Sequence, residues 1–167
     1  MTGITFFRIR NFALLVLIQA LIFSHIHLFG YATASVYLIF ILKLPRHTKV
    51  NELLLWCFLS GLIVDIFSNT PGLNAAAATA MGFARNFILS AFTHKGLAED
   101  FIPGAKSIKW GGYIVYSSLC IALFSFVLFL LELFTINYPG TLLISTLSST
   151  LLTMLFVVVA ECFSRNR

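Results

Sequence analysis

Six blocks of apolar residues, separated only by short polar connections, limit this chain to very few architectures. They run over 12–28, 31–44, 53–67, 74–92, 110–134 and 142–163. Backbone groups in hydrocarbon must be paired within their own segment or in a closed barrel. The blocks are continuous rather than alternating ten-residue strands, which predicts helices and not a barrel. Hydrophobic residues make up 59% of the 167 and charged residues 10%, with a mean hydropathy of +0.96. That is too little polar surface for a soluble domain of this length. The longest polar stretch, 93–109, is too short for a core of its own, so the whole of 1–167 reads as one membrane domain.

The second and third blocks are short for a bilayer that needs about 20 residues per helix. A single helix over 12–44 would be roughly 50 Å long, beyond a hydrocarbon core of about 30 Å. The stretch with His25, His27 and Gly30 therefore reads as a polar turn, as does Asn69-Thr70-Pro71-Gly72, where Pro and Gly suit the central turn positions. Charge separates the counts. With six spans, ten of the eleven Lys and Arg residues fall on one side: Arg8, Arg10, Lys43, Arg46, Lys49, Lys95, Lys106, Lys109, Arg165 and Arg167. Random placement gives that split about once in 500 trials, and it is what the positive-inside rule requires. The expectation is an all-α polytopic protein of six transmembrane helices with both ends inside.

The net charge of +5 fits the same reading, as basic residues held beside an anionic leaflet and not as a nucleic-acid surface. Arg8 and Arg10, the first apolar run and Ala32-Thr33-Ala34 imitate a signal peptide. The long spacing and the two histidines argue for an uncleaved first helix. Cys57, Cys120 and Cys162 each lie inside an apolar block, where cysteine behaves as a small hydrophobe. They lack metal-ligand spacing, and the His25-x-His27 pair on the outer side, with His47 and His94 inside, has no further ligand close by, so no cofactor is expected. No Gly-x-Ser-x-Gly, His-Glu-x-x-His, P-loop or paired intramembrane aspartates are present, so the expectation is a non-enzyme.

Charges inside spans are expensive, which singles out Asp65 and Arg85. Two readings stay open for them: a polar cavity or partner contact, or a buried charge network that fixes packing. Glu132 and Glu161 lie near span ends and are expected to reach the interface. Asp65, Arg85, Asn69 and Asn74 are the candidate binding residues. Ala78 and Gly82, four apart in an alanine-rich span, predict close approach of a neighbouring helix. The 18 phenylalanines read as lipid-facing bulk.

The run from Gly61 through Asp65, Asn69, Thr70, Pro71 and Gly72 to Asn74 and Ala75 resembles the MreD rod-shape-determining family. That family has a Gly-x-x-x-Asp helix end, a short Pro or Gly turn and a small-residue helix. The motif covers about fifteen residues; Asp65, Pro71, Gly72 and Asn74 match it, Gly61 is its start, and Arg85 stands outside it. Length, span count and short basic tails are similar too. The resemblance implies a multi-pass protein of the bacterial inner membrane, working with the bitopic MreC and the actin-like MreB. RodA and the elongation penicillin-binding transpeptidase stand beside them in controlling peptidoglycan synthesis and cell shape. It also implies a fold similar to the substrate-binding subunits of energy-coupling-factor vitamin transporters. A membrane lipid or small solute therefore stays in play, and a solute-binding transporter subunit is the alternative function.

Overall fold

A computed structural model describes residue 19 and residues 35–92, 101–133 and 139–165. All regular structure among them is helical. We label the helices α1 (Leu38–Leu42), α2 (Val50–Ser68), α3 (Leu73–Phe92), α4 (Ala105–Leu133) and α5 (Pro139–Arg165). The expected first span apart from Gln19, the signal-like triplet, His25, His27, His94 and the connections at 93–100 and 134–138 lie outside the described residues.

Three helical segments are long and apolar enough to cross a membrane: Val50–Ser68, Ala105–Glu132 and Leu142–Phe163, with mean hydropathies of 1.8, 2.5 and 2.2. Together they mark a membrane protein. At 20 residues α3 has a spanning length, but its alanines, Asn74, Arg85 and Asn86 make it less apolar. Burial follows the inverted pattern that lipid imposes. Leu55, Ile66, Phe87, Leu147, Leu151 and Phe163 are exposed, while Ser60, Ser117, Ser149 and Thr153 are buried. The hydroxyls of Ser117, Thr146 and Thr150 donate to carbonyls four residues back, at 2.6–2.7 Å, so none needs water. Consecutive long helices pack on one another, and α3 and α4 each have two such neighbours.

Two elements differ from expectation. The described part of the second block is not a continuous helix: Leu38–Leu42 is little more than one turn, although residues 35–42 are all buried. Tight i→i+3 bonds at Leu38, Ile39 and Phe40 open it, and Pro45 removes the next donor and restrains Leu44. Irregular backbone at this depth needs side-chain partners, and it finds them. The Ser35 N–H donates to Thr153 Oγ1 at 3.2 Å and the Val36 N–H to Gln19 Oε1 at 2.7 Å.

The other is α4, which begins at Ala105, inside the stretch expected to be polar connection. Lys109 interrupts it with φ 64 and ψ 156, so the straight run starts at Trp110, the expected start of the span. That corner of conformational space is essentially reserved for glycine, and a lysine there stores strain of about 1–3 kcal/mol. Lys109→Gly is therefore expected to stabilise the protein by about 1 kcal/mol, read as a higher unfolding temperature in detergent. A lower unfolding temperature would show that the elbow is not strained.

Candidate functional site

The hairpin between α2 and α3 is built from the residues that the sequence singled out. α2 ends at Asn69, whose left-handed φ 53 and ψ 39 suit asparagine, and whose N–H donates to the Asp65 carbonyl. Gly72 follows at φ 79, the positive value that a glycine after Pro71 supplies without steric cost. α3 then starts with free backbone donors and a glycine before it, so no local side chain is there to cap it. Asp65 does so from the preceding helix. Its Oδ1 accepts from Asn74 N, Asn74 Nδ2 and Thr70 Oγ1 at 3.0, 3.0 and 2.5 Å, and its Oδ2 accepts from Ala75 N at 2.9 Å. A carboxylate at a helix N-terminus also meets the positive end of the helix dipole.

Close helix contact makes this reach possible. A Cβ on Gly61 would lie 2.5 Å from Ala75 Cα and 2.5 Å from the Asn74 carbonyl oxygen. One on Gly82 would lie 2.5 Å from Cys57 Sγ. Gly61 thus stands opposite Ala75 and Cys57 opposite Gly82, and Ala78 between them is fully buried. Continuing that antiparallel register puts Arg85 beside residues 53–54, roughly 17 Å along the helix from Asp65. The two charges do not pair. A cavity of about 280 Å³ beside the turn is lined by Leu62, Asp65, Ile66, Asn69, Thr70, Pro71 and Gly72 and opens to the surface. It does not extend to Arg85.

Arg85 is fully buried and serves the opposite end of the bundle. Its Nη2 donates to the carbonyls of Leu42, at 3.3 Å, and of Leu44, and its Nη1 donates to Asn86 Oδ1 at 3.3 Å. Tyr116 Oη donates to the same Leu42 carbonyl at 3.3 Å. The cation therefore closes the C-terminus of α1, where carbonyls lack helical partners and the dipole is negative. Both charges act as caps reaching across from a neighbouring helix.

A third charge joins them that sequence reasoning assigned to the interface. Glu161 on α5 is only 6% exposed. Its Oε1 accepts from the Ala105 N–H at 2.9 Å, capping α4, and its Oε2 lies 2.9 Å from Lys43 Nζ. Gly104 leaves the room, since a Cβ there would stand 3.1 Å from Glu161 Oε1. Pro103-Gly104 before a new helix is the one sequence signal that such an acceptor was wanted. Glu161→Ala is expected to cost about 2–3 kcal/mol in detergent unfolding, with Glu161→Gln, which keeps the cap, losing about half as much. Equal losses for the two would assign the effect to the ion pair alone.

Cys57 and Cys120 are buried and Cys162 is exposed, all as free thiols. No cluster of three potential metal ligands occurs among the described residues. Comparison with family models, curated proteins and solved structures found no match to the chain.

Proposed function

We propose that this chain is a non-enzymatic, MreD-like component of the bacterial inner membrane that holds an MreC-like bitopic protein within the cell-elongation complex. In this reading it has six spans with both ends in the cytoplasm, and it acts on peptidoglycan synthesis and cell shape through its partners. The observation that carries it is the 61–75 hairpin. Asp65 and Asn74, which match the family motif, and Gly61 at its start depend on one another through the Gly61–Ala75 approach and the Asp65 cap. A motif of that kind is explained by the need for a rigid two-helix unit, which is what a scaffold requires of its membrane domain. MreB, RodA and the penicillin-binding transpeptidase are the further partners that the reading implies.

A solute-binding transporter subunit is the weaker reading. It needs a pocket shared by Asp65 and Arg85, and the cavity beside Asp65 does not reach Arg85. Depletion in a rod-shaped bacterium that carries the gene tests the proposal. Cells should round up and lose ordered wall insertion; rods that persist with normal insertion would refute it.

A further inference from the structure

The elbow at Lys109 carries two exposed lysines, Lys106 and Lys109. The 43–49 loop meets the start of this segment, where the Arg46 N–H donates to the Phe101 carbonyl at 3.2 Å. Lys49, Lys106 and Lys109 are exposed and Arg46 is half-buried. Glu161 is occupied by Lys43 and the Ala105 N–H, leaving Glu52 as the remaining acid at this end among the described residues. Beside the cations, Ile102 is 56% exposed and Trp110 is half-buried at the start of the straight helix. Cations over an apolar step with a tryptophan match the headgroup–acyl boundary of a bilayer. A soluble polyanion offers no counterpart to the exposed Ile102.

We infer that this elbow is a binding surface for the phosphate of an anionic phospholipid, with Lys109, Lys106 and Arg46 as its cationic contacts. The backbone at Lys109 supports this. Glycine would occupy that conformation without strain, and the chain carries a lysine there instead. Strain retained at an exposed position is explained when its side chain is used, and an ammonium at the bilayer surface has a phosphate to meet.

The test is retention of phosphatidylglycerol against phosphatidylcholine by the full-length protein in detergent, read by native mass spectrometry over a lipid titration. Saturable retention of the anionic lipid in clear excess is expected. Lys109→Gly and Lys106→Gln should each weaken it about fivefold, while Lys109→Arg keeps it. Lys109→Gly is the decisive variant, because its fold is expected to be undisturbed while its charge is gone. Equal retention of the two lipids, or phosphatidylglycerol binding unchanged in Lys109→Gly, would overturn the inference. So would full displacement of the lipid by an equal concentration of inorganic phosphate, which would assign the surface to free anions.

Discussion

Asp65→Ala is expected to destabilise the protein by about 3–5 kcal/mol, since several hydrogen bonds to one charged group, worth about 1.5–3 kcal/mol each, are lost together. One carboxylate receives four hydrogen bonds, two from the first-turn backbone of α3 and two from the side chains of Thr70 and Asn74. Truncation leaves the buried Ala75 N–H without its acceptor. Asp65→Asn should fall between wild type and alanine. Its amide oxygen replaces one acceptor, but its NH2 group confronts donors on the other side. Thermal unfolding in detergent, followed by the fluorescence of Trp56 and Trp110, reads the series. For a chain of this size the alanine variant should melt about 10 °C lower. If alanine and asparagine both melt with wild type, Asp65 is not the α3 cap.

Gly61→Ala should be comparably severe for a different reason. The added methyl would meet backbone atoms of Asn74 and Ala75 at 2.5–2.6 Å, and backbone has no rotamer to yield. The helices must separate, at a cost of about 1–3 kcal/mol for the overpacking alone. Separation also draws the Ala75 N–H away from Asp65, so loss of the cap adds to the clash. Gly82→Ala is the informative contrast, because its nearest obstacle is the Cys57 side chain at 2.5 Å. Adding Cys57→Ala should recover part of the Gly82→Ala loss, whereas no side-chain truncation at 74 or 75 should recover Gly61→Ala. Equal rescue at both sites would mean that the helices are farther apart than the glycines indicate.

Part of the hairpin could be read from sequence because some of its requirements have a residue-type signature. Ala78 and Gly82 mark the close approach, a Pro-Gly pair the turn and a run of alanines the thin helix, while the capping role of Asp65 and the contact at Gly61 needed the fold. The start of the straight part of α4 at Trp110 was equally visible, since lysine gives way to apolar residues there. Arg85 drew notice through burial cost, but its partners could not be foreseen. They are the carbonyls of Leu42 and Leu44, and every residue carries a carbonyl. The reach of Glu161 to Ala105 was hidden for the same reason, with 56 residues between donor and acceptor. The shortness of α1 escaped because apolar composition alone does not separate a spanning helix from buried irregular chain. Its backbone is satisfied by Gln19 and Thr153, contacts that exist only once the bundle is assembled.

The central claim is that a rigid hairpin-based membrane unit holds a bitopic partner, and co-purification tests it most directly. The tagged chain is extracted in mild detergent from cells that express the MreC-like protein, beside the Gly61→Ala variant and an unrelated polytopic protein. Stoichiometric recovery of the partner with the wild-type chain, and its loss with Gly61→Ala at matched expression, is the predicted result. Recovery no greater than with the unrelated protein would contradict the account.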